Sequence, residues 1–591
     1  MLHGGRSDSF TPDGAAHQTA LEINWSSMPR SLNAMIISRR NALLLAATAS
    51  VGAASGPSVL ASDSVKTGAH QESGDCSTPR SAVAKTHYGK VRGFLVDGVF
   101  TFKSVPYGQS TGGENRWLPA KPPAPWTDEY PALVYGANCP QTLHPWTSIE
   151  QTFLFDWDDG WQSEDMLKLN IWTSSLSGKR PVMVYLHGGG FSFGSAYELP
   201  SHDGAQMARH HDVVQVSVNH RLNILGFLDV SEVGGGAYED SVNVGMTDLV
   251  AALRWVHDNI ENFGGDPDRV MIYGQSGGGS KVTTLMGMPS ASGLFHRASA
   301  QSGGGGNIPT REQQRELTRV MMKDLGLASN DIESLQKMEW SKLMAAGNAA
   351  AGKINPPGAF MGPGAAGKPR VGWSPCVDGK VINMRSFFDA APEVSKHVPM
   401  LIGSVSEEGN QMSSRPTEQE WHANLVKMYG EEKATAIVAA LKKAYPGKKI
   451  QTLSYICSGR PGLNGLSMRN NVVKMAKLKH DLQAGPAYTY YFTWQTPILD
   501  GVPGAWHTAE LQFCFDNTKR CEQGTGNTPE AQALAKKMAS SWAAFAATGK
   551  PSVQGLSWEP TDPETNKTLL WDNDSQMVND PEGEARKIIL S

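Results

Sequence analysis

The chain has 591 residues, of which 40% are hydrophobic and 19% charged, with a net charge of −4. That length holds several ordinary domains, or one large α/β domain with insertions, and the composition suits a globular protein with a sizeable core. The near-balanced charge excludes the basic excess that nucleic acid or an anionic membrane would call for. Six cysteines without a C-x-x-C pair exclude a disulfide-built scaffold and speak against a zinc or redox centre.

In chain order, "ISRRNALLLAATASVGAASGPSVLA" comes first. Arg39 and Arg40 precede a moderate apolar run that ends at Val59-Leu60-Ala61. This is the pattern of a twin-arginine export signal cleaved after Ala61. The run is too short and too interrupted by Ser, Gly and Pro to span a membrane comfortably. Residues 1–34 precede this n-region, and Met35 would open a conventional signal. The sequence therefore predicts an N-terminal extension and signal over 1–61, a single domain over 62–591, and a periplasmic or secreted location.

From about residue 82, strand-like and helix-like stretches alternate. "PVMVYLHGGG" (181–190) is an apolar run entering a glycine loop, and "DVVQVSV" (212–218) is a second apolar run. "TDLVAALRWVHDNIENFGG" carries Leu249, Leu253, Val256 and Ile260 at helical spacing, with Gly264 and Gly265 at its end. "RVMIYG" reads as a strand again, followed later by "VPMLIGSV" (398–405) and "AYTYYFTW" (487–494). Buried strands alternating with helices predict a mostly parallel sheet covered by helices. Segment 303–375 is rich in Gly, Ala, Pro and Met and contains the helical stretch "REQQRELTRVMMKDLG". It is expected to be a cap-like insertion over the sheet.

Gly-x-Ser-x-Gly occurs three times, at Ser110, Ser192 and Ser276. In so Gly-rich a chain an accidental match is expected in about every other protein, so context decides. Only Ser276, in "RVMIYGQSGGGSKV", stands between a predicted strand and a predicted helix, as a nucleophile elbow requires. A helix start there would also favour developing negative charge. Ser110 lies in a proline-preceded loop with no helix after it. Ser192 follows "HGGG" (187–190), a strand-terminal glycine run of the kind that offers backbone N–H groups to an oxyanion.

Together "GKVRG", "FKSVPYG", "SEDMLKLNIW", "HGGGF", "NHRLNILGFL", "NVGMTDLVAALRWVHDNIENFGGDPDRVMIYGQSGGGS" and "AQSG" make the chain, from about residue 85 onward, resemble the type-B carboxylesterases. These are the cholinesterase-like branch of the α/β-hydrolases. The resemblance implies an α/β-hydrolase fold with cap segments around an active-site gorge. It assigns Ser276 as nucleophile, Glu408 in "GSVSEEGN" as acid and His507 in "GAWHTAEL" as base, with Glu407 where the family usually has Asp. The N–H groups of Gly189, Gly190 and Gly277 would form the oxyanion hole. Gln275, Phe191 and Trp506 would line the substrate pocket, Arg116–Glu164 and Arg221–Asp248 would be buried ion pairs, and neither metal nor cofactor is needed.

The departures from the family bear on substrate. Gln275 stands where cholinesterases carry an acid, which disfavours choline-like esters and leaves neutral or anionic small-molecule esters, such as aryl or polycarboxylate esters. The residues before serine and histidine are Gln275 and Trp506 and not cysteines, which disfavours the tannase and feruloyl-esterase branch. Met166 replaces a family cysteine, so Cys139 would be free or joined to Cys76, while Cys514 and Cys521 could close a short loop. Ser302 in "AQSG" reads as a packed structural serine that could also lie near the triad acid, and "HHD" at 210–212 as a helix-ending turn. Amide, carbamate or lactone hydrolysis by the same triad is the alternative chemistry. A non-catalytic binding protein is the alternative of another class.

Overall fold

The computed structural model describes residues 76–142, 148–355, 369–410, 412, 415–458 and 465–591. The twin-arginine-like segment and the expected cleavage after Ala61 lie outside the described residues. A small sheet joins β1 (Val83–Thr86), β2 (Gly89–Arg92) and β5 (Tyr130–Pro131). The remaining strands are β3 (Phe94–Val96), β4 (Val99–Pro106), β6 (Lys168–Thr173), β7 (Arg180–Leu186), β8 (Val214–Val218), β9 (Gly265–Gln275), β10 (Arg297–Gln301), β11 (Met400–Val405), β12 (Ala487–Phe492), β13 (Lys567–Trp571) and β14 (Gln576–Asn579). Among the described residues these form one sheet of eleven strands in the order β14-β13-β12-β11-β10-β9-β7-β8-β6-β4-β3. The run from β8 to β13 is parallel, and antiparallel strands flank it on both sides.

The parallel strands read as near-continuous apolar runs because both faces of the sheet are covered. Every residue of β8, β11 and β12 is buried. Alternate side chains serve opposite faces. Val182, Val184 and Leu186 of β7 enter one apolar cluster, with Leu249, Leu253 and Val256 of the helix Val244–Asn259. Met183 and Tyr185 enter the other, with Met538, Trp542 and Phe545 of the helix Pro529–Thr548. The helix Val244–Asn259 gives way to a 3₁₀ turn and then to Gly264 at φ 76°. The stretch Arg311–Asp324 is helical, and its Leu317, Met321 and Met322 join the first cluster with Leu335 and Leu343 from the two helices that follow. Among the described residues, no helix is long and apolar enough to cross a membrane.

Both expected ion pairs form. Arg116 and Glu164 meet through two guanidinium nitrogens, and Arg116 also donates to Met338 O at 2.5 Å. Arg221 and Asp248 are almost wholly buried. Arg221 Nε and Nη2 lie 2.8 and 2.6 Å from the carboxylate, Arg221 N–H donates to Asp248 Oδ2 at 3.1 Å, and Nη1 donates to Leu118 O at 2.7 Å. The pair fixes the turn after β8 to the helix Val244–Asn259.

The two disulfides considered from sequence do not form: Cys76, Cys139, Cys514 and Cys521 are not joined to one another. Cys139 is sunk in the core and its sulfur accepts the Leu222 N–H at 3.2 Å, whereas Cys76 is exposed. Cys514 turns inward to Gln301 Nε2 at 3.5 Å, away from any bridge to Cys521. "HHD" ends the helix Ala205–His210, and both imidazoles face Asp516 Oδ2 at 3.2 Å. Among the described residues, no cluster suited to a metal is present.

Removing one partner of a buried pair strands the other charge, at a cost of about 3–5 kcal/mol. Asp248→Ala is therefore expected to lower the free energy of unfolding by that order, read from urea titration as a lower midpoint at unchanged m, against little change for the exposed Lys337→Ala.

Candidate active site

The chemistry-bearing residues gather at the carboxyl ends of adjacent parallel strands, where α/β folds place ligands. Ser276 follows β9, the glycine loop follows β7, and Glu408 follows β11, while His507 comes from the long connection after β12. Ser276 has φ 58° and ψ −120°, a conformation that costs an L-residue free energy and persists only when its surroundings enforce it. Its N–H donates to Gln301 O at 2.8 Å, and its carbonyl accepts the Ser280 N–H at 3.1 Å. Gly278 is pressed against Leu186 O, and Gly303 against Ser276 O; a Cβ at either position would collide with backbone. The helix Gly277–Met286 starts at once, with its N-terminus beneath the serine.

His187 to Phe191 form the facing loop. Gly189 and Gly190 have φ 83° and 57°, and Phe191 continues at φ 67°. So bulky a residue in the left-handed region needs restraint. Asn223 supplies it: its N–H donates to Phe191 O at 2.8 Å, and its side chain donates to Ser192 O at 3.2 Å. The Phe191 ring packs edge-on against Phe227, centroids 5.4 Å apart. A Cβ on Gly277 would strike Gly190 N, so the backbones of the loop and the elbow are in direct contact.

His507 Nδ1 and Glu408 Oε2 share a short hydrogen bond, and Glu408 Oε1 accepts the Val405 N–H at 3.1 Å. With its proton on Nδ1 donated to Glu408, His507 leaves Nε2 as the acceptor. Gln275 Nε2 lies 3.2 Å from His507 Nε2 and 3.4 Å from Nδ1. Among the described residues, the Ser276 hydroxyl forms no hydrogen bond with the ring; such contacts commonly tighten only around substrate. Burial pulls the His507 imidazole down, but Glu408, seconded by Glu510, outweighs it and holds the ring above the ordinary histidine value.

Glu407 takes no part in this pairing. It is buried on the other side of the chain, accepts from Gln495 Nε2 at 2.8 Å, and is pushed by burial up to about 7. Trp506 is packed into the apolar cluster on the side of the helix Pro529–Thr548. Ser110 is exposed, and Ser192 is part of the glycine-loop turn. Ser302 is buried at φ 46°, its N–H on Gly403 O at 2.8 Å and its hydroxyl without a partner among the described residues.

Sequence reading missed Glu510. This carboxyl is fully buried three residues beyond His507, with Tyr490 OH 3.4 Å from its Oε1. Burial first, and then the charge of Glu408, pushes it up to about 7. Its signal was an acid three residues after the histidine in an otherwise apolar stretch. Lys281, fully buried in the elbow helix, was also missed.

A sharp strand–serine–helix turn above a doubly covered parallel sheet, with a carboxylate-bound histidine opposite, defines an α/β-hydrolase. Residues 80–588 match the model of the Carboxylesterase family. The chain belongs to that family and is a carboxylic ester hydrolase. It is 30% identical to the para-nitrobenzyl esterase of Bacillus subtilis (strain 168) over 85% of this chain and 98% of that protein. It is 32% identical to the phenmedipham hydrolase of Pseudarthrobacter oxydans, over 81% and 92% respectively. Among solved structures, an esterase of Clostridium hathewayi that can hydrolyze aliphatic aromatic polyesters superposes with a TM-score of 0.75. It is 31% identical, covering 87% of this chain and 99% of that one.

A base held above its ordinary value by a carboxylate works only once deprotonated, so kcat/KM is expected to rise with pH through the raised His507 value. Glu408→Gln removes the larger cause of the upward shift. The rising limb should move to lower pH while the plateau falls by about 10³–10⁴-fold, read from pH–rate profiles of an aryl ester.

Proposed function

We propose that the chain hydrolyses small-molecule carboxylic esters through an acyl-enzyme on Ser276. His507 Nε2 takes the serine proton as Oγ attacks the ester carbonyl, since a free hydroxyl is a weak nucleophile. Glu408 holds the ring in the tautomer that keeps Nε2 open and stabilises the imidazolium that forms. The N–H groups of Gly189, Gly190 and Gly277 receive the tetrahedral oxyanion. His507 then protonates the departing alcohol and activates the water that releases the acid. The observation that carries this reading is the short Glu408–His507 bond beside the left-handed turn at Ser276.

The substrate side rests on Gln275. A neutral carboxamide beside the imidazole provides no fixed negative charge to draw a cationic ester, which favours neutral or anionic esters. Phe191, buried at the loop and braced by Phe227, supports an apolar wall next to the serine. Export rests on Arg39-Arg40 and the apolar run to Ala61, and N-terminal sequencing of the periplasmic fraction tests it.

Ser276→Ala is expected to lower turnover of an aryl ester by about 10⁶-fold, while Ser110→Ala and Ser192→Ala stay within about tenfold of the parent. A comparable loss at Ser110 would mean that the elbow is elsewhere. Gln275→Glu should raise kcat/KM for choline-like esters relative to neutral ones. No change in that ratio across a panel of neutral, cationic and anionic esters would remove the charge argument.

A further inference from the structure

Lys281 lies five residues beyond Ser276 in the elbow helix, its side chain wholly out of solvent. A buried ammonium is costly unless its N–H groups find acceptors. Nζ donates to His187 O at 2.8 Å and approaches Gly188 O at 3.4 Å. His187 Nδ1 lies 3.0 Å from the same Gly188 oxygen. Burial pulls the ammonium down to about 7, with the charge of Glu198 opposing that shift. The His187 and His220 rings, 5.3 Å apart, are held far below the ordinary histidine value, first by burial and then by Lys281, so neither ring competes with Nζ as a charged donor to these carbonyls.

The carbonyls that Lys281 grips belong to the glycine loop after β7, whose backbone touches the elbow at Gly277. The described chain has no cis peptide, and a trans unit points its C=O and N–H in opposite directions. A donor on Gly188 O therefore turns the Gly189 N–H to the far side of that peptide. Glycines resist such a rotation least, and Gly189 and Gly190 are followed by a strained Phe191. Without a clamp, rotation of the Gly188–Gly189 peptide would bring a carbonyl, and not a donor, towards the oxyanion.

We propose that Lys281 is a positioning residue for ester hydrolysis: its buried ammonium, donating to the carbonyls of His187 and Gly188, locks the glycine loop so that the Gly189 N–H faces Ser276. This rests on the reading of that loop as the oxyanion hole. The cation also polarises the gripped peptides and strengthens their N–H groups as donors.

The test uses Lys281→Met, with active sites counted by phosphonate titration. Per titrated site, kcat for an aryl ester is expected to fall about 10–10²-fold with KM within about threefold. The Ki of a trifluoromethyl ketone, to whose carbonyl carbon Ser276 Oγ adds as His507 takes the proton and the ketone oxygen becomes the oxyanion, should rise by the same factor as kcat/KM falls. A merely structural lysine would reduce the number of sites and leave that Ki unchanged. Lys479 supplies the comparison: it is equally buried and grips the carbonyls of Ser395 and Lys396 near the amino end of β11, opposite the site. Lys479→Met should keep both kcat per site and Ki. Lys281→Gln retains an N–H donor and should lose less than Lys281→Met; it also serves where the Met variant does not fold. Equal losses at 281 and 479, equal losses in the Gln and Met variants, or an unchanged Ki in Lys281→Met would overturn the proposal. Full activity of Ser276→Ala would instead overturn the site reading on which it rests.

Discussion

The site depends on one backbone bend, the left-handed turn at Ser276. An L-residue does not hold φ 58° and ψ −120° by itself, and three neighbours impose it. Gln301 at the end of β10 takes the serine N–H, Gly278 lies against the last carbonyl of β7, and Gly303 lies against the serine carbonyl. Each neighbour sits where it does because β7, β9 and β10 are adjacent and parallel and end at the same level. The cost of the bend is thus carried by the central sheet, whose apolar side chains fill both flanking layers. The same close approach brings the glycine loop after β7 against Gly277. The nucleophile and the oxyanion donors are therefore two consequences of one packing constraint.

The acid shows how finely strand parity selects a role. Glu407 and Glu408 are neighbours of identical chemistry just past β11, and both are buried. Successive side chains leave an extended chain on opposite sides. Glu408 reaches the histidine and is anchored by the Val405 N–H. Glu407 turns to Gln495 and packs against Gly504, where a Cβ would strike its carboxyl. Desolvation outweighs the Gln495 hydrogen bond and the charge of Lys448 and raises Glu407 to about 7, which suits a packed, proton-retaining acid.

Much of this was legible in the sequence, and the unread parts share a cause. The strands at 181–186, 214–218, 400–405 and 487–492 announced themselves as apolar runs, because burial on both faces leaves no room for polar alternation. Among three matching serines, Ser276 was distinguished by strand and helix on either side, which is local information. The pairing of Glu408 with His507 came from resemblance, since 99 residues separate them and no local pattern joins them. Lys281 and Glu510 went unread because a charged residue in a helix or turn is ordinarily solvent-facing. Only the coordinates show that both point inward. The disulfide alternatives failed for a related reason: cysteine spacing carries no direction, and Cys139 and Cys514 both face the core.

The charges around His507 give Gln275 a further meaning. Glu408 and Glu510 already bear on the imidazole, and both raise its proton affinity. Glu510 is itself raised to about 7 by burial and then by Glu408, so its carboxyl holds a proton more readily than a free one. A third carboxylate at 275, 3.2 Å from the ring where the amide now lies, would push Glu510 further towards its neutral form and raise the imidazole again. The ring would then be protonated over more of the neutral range and less available as a base. A carboxamide fills the same volume and lies against the ring without entering that titration. The neutral residue that removes an attraction for cationic substrates therefore also keeps the base close to the pH at which it must work.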